Sequence, residues 1–465
     1  MNTNRHLLII YSWSVNNIGD IGITPGLLNM VKQAKPELPV KVFSWLPESD
    51  PGYTKTKNYL PQYKDNCEVL PMPFVATDGG GGMIKAEAWK NFEQRWGSSK
   101  LESFRKGTLT TFESEGIVED ILEKYSLELF EELKASNPDA ANAFENAGFV
   151  YYNSGTTLNY GRLGVKNIWA YTLPLAMSMI IARRLGIPYG IGSQSFDALE
   201  WPVDLLYKKL FADAEFVYCR DTDSLNYLAQ RGLTNKFSGW RPDTTFFFKG
   251  FDEAWADEFM SENKLENEKF MCVLLRISQP EATFNDPTGG VVPEERKLEQ
   301  MRKMKIFLEQ WIEKTGCKIL ICHETRGTLN SAREYLYNIL SDKAKAGCVY
   351  LDSFWTSEQA YSVFKRARIV TSMEMHSIIM SINVGTPVIH NPYDECGRKK
   401  YMLNDLGLPG RLIDIDSCSD DAMLDAALDI HHNFEAEKQY LKKLKPSLET
   451  RSFETLQEVW SSWRK

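Results

Sequence analysis

Four ionisable side chains raise the question of chemistry: His323 and Glu324 in "CHET", and Glu374 and His376 in "TSMEMHS". Both pairs follow short apolar runs, "KILIC" and "RIVTS", with the length and branching of buried strands. An imidazole and a carboxylate at a strand end can move protons, grip a ligand or hold a metal. For zinc the spacing is wrong, since no HExxH or comparable ligand pattern occurs. His376 falls in the first turn of a helix-like stretch. A helix N-terminus lowers an imidazole's pKa, so His376 is expected to be largely neutral at pH 7 and able to accept or relay a proton. An unpaired buried carboxylate is costly, so Glu374 calls for a cation, and Arg276 or Arg326 can supply it.

A second polar set stands at other strand ends. Arg220 and Asp221 in "YCRDTDS" either hold an anion through a two-pronged arginine contact or brace their own turn. "NNIGDIGI" puts Asn16, Asn17 and Asp20 at a strand-to-helix turn, where they either cradle an anion or sugar hydroxyl or simply cap the helix. Asn153 and Ser154 in "YYNSGTT", with Ser193 and Gln194 in "GIGSQSF", complete the set and also read as ordinary loop residues. Asp243 in "RPDTTF" reads as a turn or cap residue. The "DGGGG" run has no strand before it and no Lys-Ser/Thr after it, so Gly79–Gly82 is no phosphate loop and reads as a flexible loop, with a lid as the functional option. Neither GxSxG nor GxGxxG occurs. No nucleophile elbow, metal or cofactor is called for.

Short β-rich runs alternating with amphipathic helical stretches must position these groups, the pattern of parallel sheets with helices on both faces. The expected fold class is α/β, with two doubly wound, Rossmann-like domains facing across a cleft. The first domain spans 1–250 with an irregular insertion at about 50–145, and the second spans 268–432. A charged helix pair, 433–465, packs back across both. In such folds a ligand lies outside the carboxyl ends of the strands, where the residues above are placed.

At 465 residues the chain suits two domains. With 43% hydrophobic and 25% charged residues it has a globular profile. A net charge of −8 argues against nucleic acid or an anionic membrane as the main partner. The eight cysteines form no CxxC pair and are expected to be reduced thiols of a cytoplasmic protein. The longest apolar candidate, "AYTLPLAMSMIIA", holds Pro174 and ends at Arg183-Arg184, short of a membrane span. The oligomeric state cannot be read from the sequence.

The ordered set "NNIGDIGI", "YYNSGTTLNYG", "LGIPYGIGSQSF", "YCRDTDSLNYLAQRG", "RPDTTF" and "TSMEMHSIIMSINVGTPVI" resembles the polysaccharide pyruvyl transferase family over most of the chain. The resemblance implies a GT-B-like fold and transfer of the pyruvyl group of phosphoenolpyruvate onto two sugar hydroxyls as a cyclic ketal. It further implies that His376 and Arg220 protonate or hold the donor. The family usually carries arginine two residues before that histidine, where this chain has Glu374. A carboxylate about 4 Å from the donor opposes each unit of its charge by about 4 kcal/mol at an effective dielectric of 20. Either other arginines restore the positive field, or the enzyme runs toward hydrolysis of pyruvate ketals with Glu374 and His376 as the acid–base pair. A nucleotide-sugar glycosyltransferase and a catalytically silent sugar-binding protein are the remaining alternatives.

Overall fold

The computed structural model describes residues 5–12, 17–74, 86–161, 167–277 and 292–464. Asn16 and the Gly79–Gly82 run lie outside them. The first sheet comprises β1 (His6–Ser12), β2 (Val40–Ser44), β3 (Cys67–Leu70), β4 (Ala147–Tyr152), β5 (Tyr189–Gln194), β6 (Val217–Cys219) and β7 (Ser238–Trp240). Its order is β3-β2-β1-β4-β5-β6-β7. The second sheet comprises β8 (Phe270–Leu274), β9 (Lys318–Cys322), β10 (Cys348–Tyr350), β11 (Ile369–Ser372) and β12 (Val388–His390), in the order β10-β9-β8-β11-β12. Every strand pair is parallel. Two doubly wound α/β units therefore form a two-domain, GT-B-like chain.

Local sequence accounts for these elements. "HLLIIYS" in β1 and "FMCVL" in β8 are buried at every position, as continuous apolar runs must be when helices cover both faces of a parallel sheet. The strand order reverses at β1 in one sheet and at β8 in the other. At these points the helices diverge to opposite faces and leave a crevice beyond the strand ends.

Helix α1 (Ile18–Ala34) follows β1 and is buried nearly all round. It is pinned by Thr244, whose Oγ1 donates to the Ile23 carbonyl at 2.9 Å, and by Asn29, whose Nδ2 donates to the Phe247 carbonyl at 3.1 Å. Helix α2 (Met375–Val384), after β11, is tied to the same segment, because Asn383 Nδ2 donates to the Phe248 carbonyl at 2.9 Å. One apolar core joins the two sheets, running from Leu7, Ile9 and Phe149 through Leu27 to Leu274, Leu320, Val370 and Ile378.

Two expectations change. The stretch at 50–145, read as irregular around one charged helical segment, is more regular among its described residues: β3 lies within it as the edge strand, and from Glu87 to Glu145 it is almost entirely helical. Only Val69 and Leu70 of β3 are buried, too short an apolar signal to reveal a strand. The tail is not a helix pair but a single 28-residue helix, α3 (Phe434–Ser461), which carries Pro446 within it. Helix α3 touches elements of both sheets. Glu458 accepts from Tyr218 Oη at 2.5 Å, and Lys445 Nζ donates to the Asn383 carbonyl at 3.2 Å. Beyond its end the Trp463 ring covers Gly148, where a Cβ would collide with the indole. No helix among the described residues is long and apolar enough to cross a membrane.

Trp463 is 7% exposed and fills the space above β4. Replacing it with alanine is expected to lower unfolding stability by about 3–5 kcal/mol, read as a fall in the urea midpoint.

Candidate functional site

The site is assembled where the N-terminus of α1 meets the N-terminus of α2. Asn17 caps α1, its Oδ1 accepting from the Gly19 and Asp20 amides at 2.8 and 3.0 Å. The Ile18 amide donates to the Glu324 carbonyl at 2.9 Å, and Asn17 pairs with Thr325 in an isolated bridge. These contacts join the turn after β1 to the turn after β9. Gly19 then lies so close to His376 that any Cβ there would overlap the His376 Cβ. Glycine is required for the approach, not for an unusual backbone angle.

His376, 5% exposed, receives groups from both sheets. Its Nδ1 lies 3.2 Å from Asp20 Oδ1 and 3.6 Å from Glu324 Oε1. Its Nε2 lies 3.2 Å from Arg220 Nη1 and 3.8 Å from Asp243 Oδ2. Glu324 has a second task. Its Oε2 accepts from the Ser377 amide at 2.8 Å and from Ser377 Oγ at 2.5 Å, capping α2 from a different segment of chain. Glu374 stands at the N-cap position itself but makes no capping bond.

The expected lowering of the His376 pKa is reversed. Burial opposes the charged ring, but the carboxylates of Glu324, Asp20 and Asp243 outweigh burial and raise its pKa above the usual value. A helix terminus contributes only partial charges, whereas three carboxylates contribute full ones. Burial also opposes ionisation of Asp243, yet Arg220 and His376 prevail and hold it below the ordinary carboxylate range. Asp20 is raised by burial, against the pull of His376.

Arg220 is 1% exposed and braced on two sides. Nη1 donates to Asp243 Oδ2 at 2.7 Å, and Nε donates to Ser195 Oγ at 2.8 Å. Ser195 in turn donates to Asp221 Oδ2 at 2.6 Å. Asp221 caps the following helix through the Ser224 amide at 2.6 Å, and burial pushes its pKa up to about 6. Asp221 thus steadies Arg220 through a serine. The direct partner of Arg220 is Asp243, the residue that the sequence showed only as a turn former.

Residues 17–395 match the family model described as polysaccharide pyruvyl transferase. The chain belongs to the polysaccharide pyruvyl transferase family. Membership makes it a transferase. Among solved structures it is similar to the UDP-GlcNAc 2-epimerase from Neisseria meningitidis bound to UDP-GlcNAc, with a TM-score of 0.51, 9% identity and coverage of 98% of this chain and 99% of that one. It is similar also to an α,α-trehalose-phosphate synthase (UDP-forming) from Burkholderia vietnamiensis, at 0.51, 11%, 98% and 100%. A UDP-glucosyltransferase from Polygonum tinctorium gives 0.51, 12%, 98% and 99%. At these identities the likeness is one of fold. No curated protein matches the chain.

In this pyruvyl transferase family member the remaining expected residues divide into two groups. Glu374 joins the site: Arg276 Nη1 reaches both its oxygens, at 2.8 and 2.9 Å. Burial raises the Glu374 pKa, while Arg276 and Lys399 act against the rise. His323 points elsewhere. Its Nε2 is 2.9 Å from the Leu351 carbonyl, its ring lies edge-on to Tyr350, and burial lowers its pKa to about 4. Arg326 does not pair with Glu374. It is exposed and lies over the Phe354 ring at 4.8 Å.

Asn153 and Ser154, just after β4, and Ser193 and Gln194, at the end of β5, are all buried. Asn153 Nδ2 donates to the Tyr11 carbonyl at 2.8 Å and to Thr24 Oγ1 at 2.9 Å. Ser154 Oγ lies 3.4 Å from Thr244 Oγ1. Ser193 Oγ donates to the Pro242 carbonyl at 2.8 Å, next to Asp243. Gln194 Nε2 donates to the Asn153 carbonyl. Sequence reasoning missed Ser195, Ser377 and Lys399. Lys399 is half-buried, its charge acts on Asp20 and Glu374, and its Nζ has no hydrogen bond or ion pair among the described residues. Its only sequence signal is its place in "GRKKY", following β12.

Two measurements probe this cage. Arg220→Met should lower stability by about 3–5 kcal/mol, because Asp243 stays buried without its cation, and Arg220→Met/Asp243→Asn should recover part of the loss in urea unfolding. His376 has a raised folded pKa. Its protonation therefore contributes stability that is fully present below the unfolded value of about 6.5 and disappears as pH rises through the folded value. Asp20→Asn should move the His376 ring titration, followed by NMR, to lower pH.

Proposed function

We propose that the protein transfers the pyruvyl group of phosphoenolpyruvate to two hydroxyls of a saccharide, with His376 as the proton donor and Arg220 as the anchor for the donor anion. The observation that carries the proposal is the imidazole held between Asp20 and Glu324 on one side and Arg220 on the other, at the meeting of two helix N-termini. Helix N-termini and buried cations favour anions. Arg220 has Nε and Nη1 engaged, and Nη2 makes no hydrogen bond among the described residues, which leaves it for a carboxylate or phosphate oxygen. Lys399 adds a second cation without a partner of its own among the described residues.

The reaction follows from these groups. The methylene carbon of the donor takes a proton from His376 and becomes a methyl group, leaving positive charge on the adjacent carbon. A sugar hydroxyl attacks that carbon and its proton returns to the imidazole. The second hydroxyl then displaces phosphate, which leaves with the second proton. Carboxylates beside Nδ1 favour the charged ring and orient it before the donor is protonated. Arg220 and Lys399 take up the charge of the departing phosphate.

Glu374 does not oppose the donor as a free anion would, since Arg276 holds both its oxygens. The same contact disfavours the hydrolytic alternative, in which Glu374 must be free to activate water. Phosphate release from phosphoenolpyruvate in the presence of an acceptor glycan is the test. His376→Ala should reduce it by about 10²–10⁴-fold, and Arg220→Lys should raise KM for the donor. Free pyruvate from a pyruvylated saccharide, without phosphate release from phosphoenolpyruvate, would reverse the assignment toward hydrolysis.

A further inference from the structure

A cleft of about 760 Å³ lies beside the site, between the flank of α1, the turn around Tyr59–Tyr63, the crossover at Lys249–Asp252 and the segment Phe354–Glu358. Its walls carry Lys32, Lys55, Lys249 and Arg326 against two carboxylates, Asp252 and Glu358. On a chain of net charge −8 this is a local reversal of sign.

The two carboxylates are engaged inside the protein. Glu358 Oε1 accepts from Tyr59 Oη at 2.8 Å and from Tyr63 Oη. Asp252 Oδ1 caps the helix Glu253–Glu262 through the Trp255 amide at 3.2 Å. The cations are less engaged. Lys32 has an exposed pairing with Asp65 at 3.4 Å, while Lys55, Lys249 and Arg326 form no ion pair among the described residues. The Arg326 guanidinium lies over the Phe354 ring at 4.8 Å, a contact that restrains its direction. The Trp355 indole, 2% exposed, forms a fixed floor by donating to the His323 carbonyl at 2.8 Å. Phe251, 47% exposed, gives the rim an apolar face.

The cleft adjoins the two segments that build the site. Ile18 lines it and immediately precedes Gly19, and Arg326 stands two residues after Glu324. The amide of Ile18 and the carbonyl of Glu324 are themselves hydrogen-bonded. An occupant that touches Ile18 and Arg326 thus contacts residues two removed in sequence from Asp20 and Glu324, which flank His376. Aromatic faces suit the C–H surfaces of sugar rings, and the volume is at the upper end for small-molecule sites.

We propose that this cleft binds an acidic oligosaccharide, the part of the acceptor glycan that extends beyond the sugar being modified. The assignment rests on the acceptor being a glycan, as proposed above, but its test reads binding and not turnover. Tetragalacturonate and the neutral maltotetraose serve as probes, measured calorimetrically on the full chain. Tetragalacturonate should bind, weaken as salt is raised, and bind at least tenfold less tightly to Lys55→Glu/Lys249→Glu, whose thermal midpoint reports its folding. On the wild-type protein, bound tetragalacturonate should slow acetylation of Lys55 and Lys249, a readout independent of any variant. Equal binding of both probes, no binding of tetragalacturonate, or protection of these lysines by UDP instead would overturn the proposal. Failure of phosphate release alone would sink the donor chemistry and leave this assignment standing.

Discussion

The close contact of Gly19 with His376 is the constraint on which the site depends. Two helices from different sheets meet end to end, and only the missing side chain at position 19 allows their N-termini to come so near. Each terminus carries a partial positive charge. Their repulsion is relieved by Glu324, which accepts from the Ser377 amide and hydroxyl with one oxygen and faces His376 with the other. Backbone pairing of Ile18 with Glu324 holds that carboxylate in place.

Around this contact the charges are arranged in buried, mutually satisfied sets. Arg220 answers Asp243, Arg276 answers Glu374, and the carboxylates of Asp20 and Glu324 flank His376. Such pairs offer little net stability compared with apolar packing, because each ion must leave water. Their benefit lies in pre-organisation. A site whose dipoles and charges are already oriented need not reorganise when charge develops on a substrate. The apolar core shared by the two sheets supports this arrangement, since it fixes α1 and α2 relative to one another.

Much of the fold was legible in the sequence because buried parallel strands announce themselves as unbroken apolar runs, as in "HLLIIYS" and "FMCVL". The short edge strand β3 was not, since only two of its residues are buried. Among the residues gathered by the strand-end rule, the structure brings His376, Glu374, Glu324, Arg220 and Asp20 together with Arg276. The rule also gathered His323 and Arg326, which stand at the same strand end as Glu324 yet point away. Position along the chain does not fix side-chain direction. Asp243 was taken for a turn residue because an aspartate that caps a turn with one oxygen and holds an arginine with the other looks the same in sequence as one that only caps. The direction of the His376 pKa shift was misjudged because the neighbours that set it, Asp20, Glu324 and Asp243, come from three distant segments.

The shared carboxylate of Glu324 makes positions 19, 20, 324, 376 and 377 one inheritable unit, although they are dispersed over most of the polypeptide. Recombination between relatives at the crossover from β7 to β8 would set one parent's α1 against the other parent's α2. A bulkier residue at the first of these positions, or a missing carboxylate at the third, would leave each half well folded and the pair incompatible. Chimaeras of such proteins should therefore be chosen by compatibility of these five positions before overall identity is weighed.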